Sequence, residues 1–101
     1  MDDQYNALLK QVVDLQYKIH DATDRPDQPL AQTLRKDLQD LVADAKTKRN
    51  PRDIESRLQT IEHHIQDTHN QAEPFISMQD ANHFTRVLEE IRMHVRQFEN
   101  Y

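Results

Sequence analysis

Apolar residues recur along this chain at alternating steps of three and four positions, in four separate stretches. In the first stretch they are Tyr5, Leu8, Val12, Leu15 and Ile19. Such steps place side chains on one face of an α-helix, whereas a half-buried strand would alternate at every second residue. We therefore predict an amphipathic helix over about residues 3–21, with Leu9 and Val13 widening its apolar face.

The second stretch follows a break that contains two prolines. Pro26 and Pro29 make a continuous helix unfavourable between the first two stretches. We predict that Asp27 caps the second helix, that Pro29 lies in its first turn, and that the helix ends near Lys48. Its apolar face consists of Leu30, Leu34, Leu38, Leu41 and Ala45, with Val42 beside them.

The segment NPRDIESRL, from Asn50 to Leu58, combines the features of a helix start. The Asn50 side chain can accept from the free amides of the next turn, and Pro51 suits the first helical position. The very short turn makes the second and third helices antiparallel neighbours. We predict that the third helix ends before Pro74, and that its apolar face comprises Ile54, Leu58, Ile61, Ile65, Thr68 and Ala72.

A fourth helix is predicted from the capping pattern at Ser77 and Asp80 nearly to Tyr101. Phe75 and Ile76 precede its helical pattern, and we expect them to cover one end of the core. The apolar face of this helix consists of Ala81, Phe84, Leu88, Ile91, Val95 and Phe98.

Four amphipathic helices joined by short links predict an all-α fold, an antiparallel up-down four-helix bundle. At 101 residues the chain is expected to form a single domain, residues 1–101. The apolar faces could instead pair between chains as a coiled coil, but breaks about every 25 residues favour a bundle that closes on itself. We expect Tyr17, Phe98 and Tyr101 to cap the core, since exposed aromatic anchors would indicate a partner.

The composition excludes several classes of protein. The chain has no glycine, which argues against phosphate-binding loops, and no cysteine, which excludes disulfides, thiolate zinc sites and cysteine nucleophiles. It shows no signal-peptide pattern and no apolar run of the ~20 residues that span a bilayer, so we expect a soluble, cytoplasmic protein. The net charge of −5 disfavours nucleic-acid binding.

Six histidines raise the question of a metal site, yet none has the i, i+4 histidine partner that shares a helix face. His63 with Asp67, or His64 with Asp67, would supply only two ligands, whereas tetrahedral sites need three or four. We therefore predict no metal and no cofactor. Paired carboxylates such as Glu89 and Glu90 point about 100° apart on a helix and fit a solvated face.

We also predict that the chain is not an enzyme. Ser56 and Ser77 are its serines, and neither lies in a glycine-flanked nucleophile turn. No set of residues forms a recognisable arrangement of nucleophile, base and oxyanion donor.

A basic cluster at the middle of the chain is the most distinctive charge feature. Lys46, Lys48, Arg49 and Arg52 place four cations within seven residues of an acidic chain. Cations are expected at the negative C-terminal end of a helix, and this explanation is favoured. The alternative is a patch that contacts an acidic protein surface or, peripherally, the headgroups of an anionic membrane.

The start of the predicted third helix also carries a family resemblance. Its positions are Asn50, Pro51, Ile54, Arg57 and Leu58, and the stretch FTRVLEEI in the predicted fourth helix supports them more generally. In these features the chain resembles the enterocin A-type family of class IIa bacteriocin immunity proteins. The resemblance implies a small cytosolic four-helix bundle that works without catalysis.

The resemblance further implies a partner and a contact surface. Members of that family protect a bacteriocin producer from its own peptide, through membrane components of the mannose phosphotransferase system that have bound the bacteriocin. Family specificity is associated with the C-terminal half, which here points to exposed Arg86, Arg92, Arg96 and Tyr101. The alternative function is a helical adaptor or regulatory interaction protein, monomeric or homodimeric, that is unrelated to bacteriocins.

Overall fold

Four α-helices form a closed antiparallel bundle, as the apolar pattern predicts. The computed structural model describes the backbone of residues 2–47 and 50–99 and the side chains of residues 4–47 and 50–98. The helices are α1 (Asp2–Ala22), α2 (Pro29–Lys46), α3 (Pro51–Asp67) and α4 (Met78–Glu99), with a 3₁₀ turn at Thr68–Asn70 after α3. Each helix packs against the next, and α4 packs back against α1. The resulting rod measures 44 × 19 × 18 Å.

The core is a continuous column of aliphatic side chains with aromatic residues towards its ends. Its spacing in every helix alternates between three and four residues, a mean of about 3.5, which favours the gentle left-handed helix crossing of coiled coils. Thr68 is buried in the same column, and its hydroxyl donates to the Ile65 carbonyl at 2.8 Å. The buried apolar residues are Leu8, Val12, Leu15, Ile19, Ala31, Leu34, Leu38, Leu41, Ala45, Ile54, Leu58, Ile61, Ile65, Phe75, Ile76, Ala81, Phe84, Leu88, Ile91, Val95 and Phe98.

One end of the bundle, here called the loop end, is formed by residues 23–28 and 68–77. The backbone N–H of Asp24 donates to the Phe75 carbonyl at 2.9 Å, and Gln28 Nε2 donates to the Glu73 carbonyl at 3.0 Å. Arg25 and Glu73 form an ion pair between the same two segments. The prediction that Phe75 covers an end of the core is confirmed, because its side chain is fully buried there.

The opposite end, here called the turn end, is where α2 ends at Lys46 and α3 begins at Pro51, together with the start of α1 and the end of α4. Asn50 Oδ1 accepts from the Arg52 N–H at 2.9 Å, and Pro51 occupies the first position of α3. Both features confirm the prediction made from the sequence. The Thr47 N–H donates to the Ala43 carbonyl at 3.0 Å and closes the last turn of α2.

The helix caps for which backbone angles are described avoid the left-handed conformation. The φ angles are −66° at Gln28, −89° at Thr47, −51° at Asn50 and −82° at Gln71. Residues with side chains adopt these angles without steric cost, whereas positive φ is where glycine is favoured. These turns are therefore compatible with a chain that contains no glycine.

One predicted helix cap and one predicted position on an apolar face are wrong. Asp27 does not cap α2: Gln28 takes that position without a side-chain cap, because its amide reaches across to Glu73. The third helix ends at Asp67, before Pro74 as predicted, but Ala72, which was predicted on its apolar face, lies beyond the helix and is exposed. The chain must leave the α3 axis early in order to bring Phe75 and Ile76 into the core.

The Asn50 cap offers a direct test of the turn. Asn50→Ala is expected to lower the free energy of unfolding by about 1 kcal/mol, because the Arg52 amide loses its acceptor. Urea denaturation followed by circular dichroism measures the difference. The matched control is Asn82→Ala on the exposed face of α4, which should stabilise slightly, since alanine is the better helix former. Equal effects of the two substitutions would contradict the capping role.

Candidate functional site

Two residues of the basic cluster predicted from the sequence, Lys46 and Arg52, lie at the turn end. Lys46 is the last residue of α2 and Arg52 lies in the first turn of α3, so the two flank the connection. Both are exposed, and neither side chain has a hydrogen bond or an ion pair. Lys48 and Arg49 lie outside the described residues. Two unpaired cations therefore project from this end of an acidic molecule.

The arginines predicted as contacts on α4 occupy three different environments. Arg86 is exposed and unpaired. Arg96 is 57% exposed, and its Nε donates to Glu55 Oε1 at 2.8 Å. The expectation that Arg92 is exposed is wrong, since its side chain is only 20% exposed. Tyr101 lies outside the described residues.

Arg92 is partly buried because it joins α4 to α3. Its Nη1 lies 3.2 Å from Glu62 Oε2, and its Nη2 lies 3.8 Å from Glu55 Oε1. Glu55 and Glu62 are seven residues apart, so they lie on the same face of α3 and reach the same guanidinium. Its Nε is buried without a hydrogen-bond partner. Arg92 therefore acts as a structural link between two helices.

A second set of charged residues joins α3 to α2. Arg57 Nε donates to Asp44 Oδ2 at 3.0 Å, and its Nη1 lies 3.6 Å from Asp40 Oδ2. His64 Nδ1 lies 2.6 Å from Asp37 Oδ2. Neither Arg57 nor His64 was predicted to have a partner on α2, although Asp37, Asp40 and Asp44 recur at helical spacing. Charged contacts thus flank α3 on both sides.

The histidines do not assemble a metal site in the described part of the chain. His64, one candidate ligand, contacts Asp37 across the seam rather than Asp67 on its own helix. His94 Nδ1 lies 2.9 Å from Gln11 Oε1 on α1, and its ring packs edge-on against Phe98. Among the side chains described, no group of three or more His, Cys, Asp or Glu residues is placed to hold a metal ion.

A groove of about 300 Å³ lies between the second half of α1 and the first half of α2. Its floor is formed by core residues, among them Ile19, Leu34 and Leu38. Tyr17 lies on its rim with 65% of its surface exposed, which shows that the prediction of a core-capping Tyr17 is wrong. The aliphatic stripe predicted these two helices, but the gap between them depends on how the helices pack.

Comparisons with protein families, with curated proteins and with solved structures each found no match to this chain. The five positions that carry the family resemblance all have structural roles. Asn50 caps α3, Pro51 starts it, Ile54 and Leu58 are buried in the core, and Arg57 pairs with Asp44. These residues therefore serve the start of α3 and its packing, and a contact surface has to be sought elsewhere.

Among the helices that the structure describes, none has both the length and the apolar character needed to cross a membrane.

Proposed function

We propose that this chain is a bacteriocin immunity-like protein that acts by protein–protein contact at the cytoplasmic side of a membrane receptor complex. The partner is a membrane protein with bound bacteriocin, such as a mannose phosphotransferase component, as the family resemblance implies. The turn end is the contact surface, with Lys46 and Arg52 at its centre. Arg96, on the last turns of α4, lies at the same end and remains more than half exposed.

The unpaired state of Lys46 and Arg52 is the observation that carries this proposal. Most charged side chains at the α2–α3 and α3–α4 interfaces form ion pairs within the bundle, whereas these two cations have no partner. Free cations at one end of a molecule of net charge −5 are complementary to an acidic patch on a partner. Such complementarity steers association and selects partners more than it adds raw affinity.

The test is protection of a bacterium that class IIa bacteriocins kill. Cells that express the wild-type chain should survive a higher concentration of the cognate peptide than cells without it. Lys46→Glu combined with Arg52→Glu should lower the peptide concentration that the cells survive by roughly tenfold, because two favourable charge contacts become repulsive. Circular dichroism verifies that the variant remains folded.

The matched control reverses two other free cations. Lys10 on α1 and Lys36 on α2 are exposed and unpaired, and Lys10→Glu with Lys36→Glu makes the same change in net charge. This control should protect as well as the wild type. Equal loss in both double variants would overturn the turn end as the contact surface. If cells that express the wild-type chain are killed as readily as cells without it across a broad panel of peptides, the immunity function would be overturned.

A further inference from the structure

The groove between α1 and α2 has an unusual lining for an acidic protein. Asp and Glu number 18 in the chain, yet none of the described residues that line the groove is acidic. The floor is aliphatic, and the rim carries amide, hydroxyl and aromatic groups. Arg35 is the lining residue with a permanent charge, and its guanidinium has no hydrogen bond or ion pair.

The dimensions of the groove limit what it can hold. The lining runs from Gln16 on α1 to Thr23 just after that helix, and on α2 from Ala31 to Gln39. At a rise of 1.5 Å per residue these stretches are about 10–12 Å long. The volume of about 300 Å³ lies at the lower end of the range for small-molecule sites. The groove is thus too short for a partner helix of several turns and fits a single small ligand.

We propose that this groove binds a small amphiphilic carboxylate. The apolar body of the ligand lies on the floor formed by Ile19, Leu34 and Leu38, where it displaces water from apolar surface. The carboxylate meets the Arg35 guanidinium, which offers paired N–H donors that match a carboxylate. The absence of acidic lining residues removes the repulsion that most of this molecular surface would exert. This site is separate from the turn end and does not rest on the proposed function.

The test compares three eight-carbon probes that differ in their head group. Octanoate, 1-octanol and octylamine are each titrated into the full chain, and nuclear magnetic resonance follows the methyl groups of Ile19, Leu34 and Leu38. Octanoate should shift these methyl signals saturably. Octanol should bind several-fold more weakly and octylamine more weakly still. Absence of a saturable octanoate shift, or equal binding of all three probes, would overturn the proposal.

Two substitutions and a matched control locate the site. Arg35→Glu should weaken octanoate binding about tenfold, since attraction becomes repulsion at a rim position. Lys36→Glu makes the same charge change one residue along α2, outside the groove lining, and should leave binding unchanged. Ala31→Met adds volume at the groove and should also weaken binding. Equal binding by the Arg35 and Lys36 variants, each verified as folded, would overturn the assignment.

Discussion

Replacement of Phe75 by alanine is expected to lower the free energy of unfolding by about 3–5 kcal/mol, the usual cost of truncating a buried phenylalanine. The side chain is fully buried, although it lies in the connection between the 3₁₀ turn and α4. Its loss removes apolar contacts and leaves a cavity that four packed helices can fill only in part. Domains of this size are stable by about 5–15 kcal/mol, so the loss is a large fraction of the total.

Urea denaturation monitored by circular dichroism at the helix band measures this loss. Tyr17→Ala is the control, because it also truncates an aromatic side chain but at a site that is 65% exposed. This substitution should change the free energy of unfolding by no more than about 0.5 kcal/mol. A Phe75→Ala variant that unfolds at the same urea concentration as Tyr17→Ala would show that the loop end does not complete the core.

Replacement of Arg92 by methionine is expected to lower the free energy of unfolding by about 2 kcal/mol. The substitution keeps an apolar stem of similar length but leaves Glu55 and Glu62 without their shared partner, and these carboxylates are only 20% and 13% exposed. Breaking a fully buried ion pair costs about 3–5 kcal/mol, and partial exposure of this one lowers the expected figure. The same denaturation measurement applies.

Arg96→Met provides the comparison for Arg92. Arg96 contacts the same Glu55, but it is 57% exposed, so its loss should have a much smaller effect. A triple variant, Arg92→Met with Glu55→Met and Glu62→Met, should recover most of the lost stability, because no partly buried charge is left unpaired. Equal effects of Arg92→Met and Arg96→Met would mean that solvent screens both contacts alike.

The architecture could be predicted because its determinants are local. The alternation of three and four steps gives each helix an apolar face, and Asn50 with Pro51 marks a helix start through bonds to its own next turn. Burial of Phe75 and Ile76 could also be predicted from the sequence, because two large apolar side chains beside Pro74 are more stable in the core than in water.

The candidate surfaces could be predicted only in part, because they depend on how the helices sit against one another. Lys46 and Arg52 flank a turn, so their common location follows from sequence distance alone. Arg92 and Tyr17 lie at the flanks of their helices, where a small rotation decides between burial and exposure. Arg92 contacts two glutamates of α3, and Tyr17 borders the groove between α1 and α2. Both arrangements depend on the neighbouring helix, so the sequence of one helix alone does not predict them.

Because the described caps need no positive φ angle, the chain can fold without glycine. The lack of glycine has a consequence for the unfolded ensemble. Glycine loses more conformational freedom on folding than any other residue, and this chain has none to restrict. The disordered state therefore samples fewer backbone arrangements than that of a glycine-containing bundle of equal length, which lowers the entropic cost of folding. Part of the stability of this rod originates in the stiffness of its denatured chain rather than in any contact of the native one.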